Sequence, residues 1–226
     1  MEILKFLGIG SAFNLENDNN CAYFIDNETF VLFDCGDRIA RKIINYKLLE
    51  NIKHVLIVIT HLHADHISSL ETLLDYLYLV RKDIDCKVMY PYKEGLSKIL
   101  DLEATFDYSI DDSKELTFNN INVKAIPANH IDNSYSYLVK TSNFSFYYSG
   151  DTNKLNLDVL KMLKNNEIDL MYHEVSYPNI SVHTSIDDLI KYIPQDLRKR
   201  VYLMHFSDKK LIELAKNNGF NVPNEL

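Results

Sequence analysis

The apolar, largely β-branched run at 55–60, Val-Leu-Ile-Val-Ile-Thr, opens directly into His61-Leu62-His63-Ala64-Asp65-His66. An apolar stripe then follows at Ile67, Leu70, Leu73, Leu74, Leu77 and Val80. The run is continuous rather than alternating, the pattern of a strand buried on both faces. The stripe recurs at three- and four-residue intervals, as on an amphipathic helix. Between them, alternation along an extended chain throws His61 and His63 to one side, where two imidazoles can grip one metal ion. Asp65 and His66 fall where the chain turns into the helix, which redirects them to a second position. The spacing therefore suggests two adjacent metals.

Elsewhere, strands are predicted at 2–7, 21–25 and 29–33, the last two joined by a hairpin turn at Asp26-Asn27-Glu28, followed by a helix at 38–49. Strands return at 106–110, 115–118, 121–126, 135–139 and 144–148. A helix at 157–163, a strand at 168–172, a helix at 185–192 with Thr184 as a plausible N-cap, a strand at 201–204 and a helix at 209–217 complete the chain. This order suits two packed sheets with helices outside them better than one doubly wound parallel sheet. No repeat, low-complexity tract or linker interrupts it, so one domain spanning 1–226 is expected.

The bulk numbers exclude several functions. No apolar run approaches the length of a membrane span, and no basic leader precedes an apolar segment, so a cytoplasmic protein is expected. The three cysteines are far apart and lack the C-x-x-C spacing of a thiolate zinc site. A formal charge of −8 argues against laying a long nucleic acid along the surface, and Arg198-Lys199-Arg200 is too short a basic run to offset it. Only six glycines are present, which implies that each serves a backbone need.

The histidine motif and the stretches around it resemble the metallo-β-lactamase superfamily, whose fold is an αββα four-layer sandwich with a dinuclear metal site at the edge of the two sheets. Leu7-Gly8-Ile9-Gly10-Ser11-Ala12-Phe13 is similar to the opening of its ribonuclease Z branch, and Leu32-Phe33-Asp34-Cys35-Gly36 to that branch's second motif. Pro127-Ala128-Asn129-His130, Tyr148-Ser149-Gly150-Asp151-Thr152 and Leu203-Met204-His205-Phe206 match later motifs. The resemblance implies His61, His63 and His130 on one metal, Asp65, His66 and His205 on the other, and Asp151 bridging. Imidazole and carboxylate donors without thiolate suit two Zn²⁺ ions, and Mn²⁺ or Fe²⁺ would also fit.

His173-Glu174-Val175-Ser176 and Val182-His183-Thr184-Ser185 resemble two further motifs of ribonuclease Z-like phosphodiesterases, which lactonases, glyoxalases of the glyoxalase II type and β-lactamases generally lack. A departing alkoxide is a strong base and needs a placed acid. His183 is expected to be that acid, oriented by Glu174, with Asp65 the third catalytic residue beside the metals. His173 is balanced between a hydrogen-bonding role and core filling. His54 reads as a surface residue. Ser134 and Tyr137 follow His130 and are pocket candidates with no assigned role.

Transfer-RNA-processing members carry a long arm between the third-motif histidine and the bridging aspartate, whereas here 20 residues separate His130 from Asp151. The C-terminal stretch from Val182 to Asp208 looks most like the cyclic-nucleotide phosphodiesterases of this branch, the group containing phage anti-Pycsar proteins. The resemblance implies a homodimer that hydrolyses a 3′,5′-cyclic mononucleotide to the nucleoside monophosphate and so evades antiviral signalling, in the host cytoplasm if phage-encoded. The alternatives are a tRNA 3′-processing endonuclease and a lactonase or thioesterase.

Overall fold

The computed structural model describes residues 3–100 and 109–226. Its first sheet is built from Lys5–Gly8 (β1), Cys21–Asp26 (β2), Thr29–Phe33 (β3), His54–Val58 (β4), Asp85–Met89 (β5) and Ser109–Asp111 (β6), paired in that order. Its second sheet runs, from one edge to the other, Val201–Met204 (β12), Leu170–Glu174 (β11), Ser145–Tyr148 (β10), Tyr135–Lys140 (β9), Ile121–Pro127 (β8) and Glu115–Phe118 (β7). Both sheets are mixed. In the first, β1 and β3 each pair antiparallel with β2, and β3 to β6 pair parallel. In the second, β10, β11 and β12 are mutually parallel and the rest antiparallel.

The helices are Ile39–Asn45 (α1), Ala64–Ile67 (α2), Leu70–Leu79 (α3), Lys93–Ile99 (α4), Leu157–Lys164 (α5), Ile186–Tyr192 (α6) and Lys209–Asn217 (α7). Strand β4 explains the layering. Leu56 and Val58 enter a core between the sheets with Phe33, Val123, Phe146 and Tyr148, while Val55 and Ile57 enter a second core with Ile43 of α1, Leu73 and Leu77 of α3 and Leu96 of α4. The other sheet is backed by Val159, Leu160 and Leu163 of α5, Leu189 of α6 and Leu211 of α7. The result is the four-layer αββα sandwich that the sequence led us to expect, as one α/β domain.

Several local expectations change. The helix expected at 38–49 stops at Asn45, and Lys47 and Asn51 then take positive φ in a series of turns. The stripe from Ile67 onward is two helices, because Ser69 is pulled to the β3–α1 loop: its hydroxyl donates to Gly36 O at 2.5 Å and accepts from Ala40 N at 3.0 Å. Val80 lies past the helix end and is exposed. Ser185, not Thr184, caps α6, accepting from Asp188 N at 3.1 Å. Strand β5 and helix α4 lack a strong periodic signal in the sequence. Of the strands expected at 2–7 and 106–110, Glu2 and residues 106–108 lie outside the described residues.

Candidate metal centre

Because β1, β3 and β4 run in one direction, their C-terminal ends share an edge, and the loops leaving them meet there. His61, His63, Asp65 and His66 follow β4 on the turn into α2. The β3–α1 loop packs directly beneath: a Cβ on Gly36 would overlap the Asp65 carbonyl oxygen, so this position accepts only glycine. From the second sheet, His130 comes from the loop after β8, Asp151 from the end of β10 and His205 from the end of β12. Gly150, with φ 54°, turns the chain against Thr60 and delivers Asp151. His205 itself has φ 62°, a costly conformation for a residue with a side chain. It is fixed by the next residue, whose N–H donates to Ile9 O at 2.7 Å and whose carbonyl accepts from Ser11 N at 2.9 Å.

All seven expected donors converge. His63 Nδ1 lies 2.9 Å from His61 Nε2 and 3.3 Å from His130 Nε2. Asp65 Oδ2 lies 3.3 Å from His66 Nε2 and 3.4 Å from His205 Nε2. Asp151 stands between the two sets, 3.5 Å from His66 Nε2 and from His205 Nε2, 3.8 Å from His130 Nε2 and 3.9 Å from His61 Nε2. Donors about 2.0–2.1 Å from a tetrahedral ion are separated by roughly 3.3 Å, so the spacing suits metal coordination.

The outward nitrogens are equally informative. His66 Nδ1 donates to Asp34 Oδ2 at 2.8 Å, and His130 Nδ1 donates to Val182 O at 3.0 Å. Thr60 Oγ1 donates to Asp34 Oδ2 at 2.9 Å and accepts from His61 Nδ1 at 3.1 Å. Each of these three rings is thereby oriented with Nδ1 outward and Nε2 turned toward the other donors. His66 Nε2 and Asp151 Oδ1 are buried without a hydrogen-bond partner, which a divalent cation between the sets would supply.

The charges agree. Burial opposes a proton on His66, yet the Asp151 and Asp34 carboxylates outweigh it and push its pKa well above the usual range. Burial would raise Asp151, but His205 and His66 hold it well below the carboxylate range. Burial likewise would raise Asp65, and the His205 and His66 bonds more than reverse it. Burial, reinforced by His66, lowers His61. Anionic carboxylates beside imidazoles with inward-facing nitrogens form a cluster suited to positive charge.

Glu174 and His183 adjoin this cluster. Glu174 is fully buried at the end of β11, where its Oε1 accepts from Thr152 N at 2.9 Å, Thr184 N at 3.2 Å and His183 Nδ1 at 3.1 Å. The His183 ring lies 5.1 Å from that of His130 and 5.2 Å from that of His205, and its Nδ1 is 3.8 Å from Asp151 Oδ2. Burial first, and then Asp151, push Glu174 well above the carboxylate range. With cations neutralising Asp151, burial alone would remain against the three bonds that favour the charged form.

The other candidates lie elsewhere. Tyr137 is buried and donates to Ile59 O at 2.7 Å, and Ser134 closes its own loop on Ile131, so neither lines an opening. His173 is buried, donates from Nδ1 to the Glu174 carbonyl at 2.8 Å and fills core; burial lowers its pKa to about 4. His54 is partly exposed, with Asp85 3.5 Å away. The residue that spacing did not identify is Asp34. Only its presence in the 32–36 motif signalled it, since its partners Thr60 and His66 are 26 and 32 positions away. Asp34→Ala is expected to weaken metal affinity about 10- to 100-fold by releasing His66 and, through Thr60, His61. Competition against a chromophoric chelator measures this, and an affinity equal to wild type would refute it.

The family model described as "Anti-Pycsar protein Apyc1" matches residues 2–222. The chain is 29% identical over 224 residues to the anti-Pycsar protein Apyc1 of Paenibacillus harenae, covering 91% of this chain and 90% of that protein. It is 28% identical over 234 residues to the protein of that name from Bacillus phage BSP38, covering 91% and 89%. Among solved structures, human tRNase Z, short form, superposes with a TM-score of 0.71 at 20% identity over 98% of this chain and 95% of that one, a likeness of fold.

Proposed function

The chain belongs to the anti-Pycsar protein Apyc1 family, and from that premise and the geometry of the site we propose that it hydrolyses 3′,5′-cyclic mononucleotides to nucleoside monophosphates. Degrading such signals counters Pycsar defence. The protein is a metallo-hydrolase of the phosphodiesterase class, with a His and Asp cluster suited to metal. We assign His61, His63 and His130 to one divalent ion, Asp65, His66 and His205 to a second, and Asp151 to both. Five imidazoles, carboxylates and no thiolate favour Zn²⁺, and Mn²⁺ or Fe²⁺ also suit the set. When bound, such ions supply Lewis acidity toward a phosphoryl oxygen and lower the pKa of water toward neutrality.

The observation that carries the proposal is the contact between Glu174 and His183 beside the donor cluster. Glu174 fixes the His183 ring through Nδ1, leaving Nε2 as the atom that gives a proton to the departing ribose oxygen. A buried carboxylate stabilises the imidazolium required for that transfer. Asp65 and Asp151 hold negative charge against the imidazoles, and Asp65 completes the proposed catalytic set with Glu174 and His183.

One feature of the fold supports a small substrate. Between His130 and Asp151 the chain contains only a short loop, β9, a turn and β10, with no inserted arm in that segment to grip a tRNA. A homodimer is part of the proposal, supported by Tyr46, Tyr78, Leu79 and Val80, which are exposed at the ends of the adjoining helices α1 and α3. Among the described residues, no helix is long and apolar enough to cross a membrane. The test is a screen of cyclic mononucleotides, cyclic dinucleotides and a pre-tRNA with added Zn²⁺ or Mn²⁺. Turnover of cyclic mononucleotides is expected, and cleavage of pre-tRNA without it would overturn the assignment.

A further inference from the structure

The loop between β1 and β2 turns two large apolar side chains into water at the edge where the donors converge. Phe13 is 92% exposed and Leu15 is 99% exposed. Single exposed apolar residues are ordinary, but this pair is held out by a built frame. Asn14, buried between them, accepts on Oδ1 from Glu16 N at 2.9 Å and Asn17 N at 3.0 Å, and its Nδ2 donates to Phe206 O at 2.8 Å. The far stem is also tied: Lys42 pairs with Asp18 at 2.7 Å and with Glu225 at 3.0 Å, and Asn17 Nδ2 donates to Glu225 Oε2 at 3.0 Å.

The frame is joined to the metal centre. The carbonyl that accepts from both Ser11 N and Asn14 Nδ2 belongs to Phe206, next to His205. Phe13 therefore sits on a short span whose two anchors share one atom, one residue from a proposed metal ligand. At the other end of the ring contacts linking His205, His183 and His130, Val182 receives the His130 Nδ1 bond and is itself 48% exposed.

We propose that Phe13 is a substrate-binding residue, the face on which the nucleobase, whatever its identity, stacks while the phosphodiester occupies the metal centre. This rests on the cyclic-nucleotide reading above. The chemistry fits: the ions take the phosphoryl charge, whereas a base offers a flat π-face that an aromatic ring binds without regard to its hydrogen-bonding edge. Because the loop is already ordered, stacking costs little further conformational entropy.

The test compares wild type with Phe13→Ala and Phe13→Tyr on 3′,5′-cyclic AMP, 3′,5′-cyclic UMP and the baseless 1-O-methylribose 3′,5′-cyclic phosphate, with molar mass followed by light scattering. Phe13→Ala is expected to raise KM for both nucleotides about tenfold, the scale of one aromatic–base stack, with kcat within about twofold. Phe13→Tyr should restore KM, and KM for the baseless compound should be the same in all three proteins. Equal KM changes with and without a base, or none, would overturn the proposal. A KM rise accompanied by a lower molar mass would assign Phe13 to subunit contact instead. Wild type that hydrolyses no cyclic nucleotide would overturn the functional reading and this one together, whereas normal wild-type turnover with an unaffected Phe13→Ala overturns this one alone.

Discussion

Replacing His183 with alanine is expected to lower kcat for cyclic-nucleotide hydrolysis by about 10²- to 10⁴-fold, the contribution of a positioned general acid. The ring is held by Glu174 at 3.1 Å and lies between His130 and His205, yet it is outside the seven donors assigned to metal. Metal content should therefore stay at the wild-type level, and KM should move far less than kcat. Glu174→Gln keeps the side chain's shape and can still accept from the ring, so its loss should be smaller, reflecting a less stable imidazolium. An analogue with a good leaving group, such as a p-nitrophenyl phosphodiester, needs less protonation and should be hydrolysed nearly normally by His183→Ala. A His183→Ala protein that loses metal along with activity would show that His183 acts as a ligand. Retained action on an acyl-homoserine lactone would favour the lactonase alternative.

The second large effect concerns Asp151, which approaches five imidazoles within 3.9 Å, those of His61, His66, His130, His183 and His205, and is buried. Asp151→Ala removes the anion shared by both donor sets, leaving neutral imidazoles and the Asp65 carboxylate to offset the charge of any bound cations. Hydrolysis is expected to fall to background and metal content to drop by at least one ion. Thermal unfolding gives an independent reading. A ligand at a thousand times its Kd stabilises the folded state by about 4 kcal/mol, and each kcal/mol moves Tm by about 2–4 °C for a domain of this size. Chelation should lower the wild-type Tm by about 8–16 °C and change that of Asp151→Ala little. Equal drops in both proteins would mean that Asp151 is dispensable for binding.

The legible parts of this molecule were those written locally. The continuous apolar run of β4 forecast burial on two faces, and both cores meet there. The alternation of His61 and His63 and the turn after them forecast two sets of donors, because side-chain direction in a strand and at a helix start follows from backbone geometry alone. Motif resemblance carried the rest of the donor set, since nothing local links His205 to Asp65. What sequence spacing could not show was tertiary. Asp34 orients His66 and, through Thr60, His61 across long separations in the chain. Ser69 breaks a helix whose apolar spacing is unbroken, because its hydroxyl bonds the neighbouring loop. Thr184, a good capping residue by type, instead donates to Thr152 O at 2.7 Å and leaves the cap to Ser185.

Each sheet is drawn from one contiguous stretch of chain, β1 to β6 before residue 112 and β7 to β12 after it. The donors do not divide the same way. His61 and His63 lack a third partner until His130 arrives from the later stretch, and Asp65 and His66 lack one until His205 does. Metal held by the proposed ligands would thus be a suture across the seam between two separately encoded sheets, and its affinity would report how well those sheets are docked. A substitution deep between them, at Phe33 or Phe146, neither of which is a donor, would be felt at the centre as a change in grip on the metal.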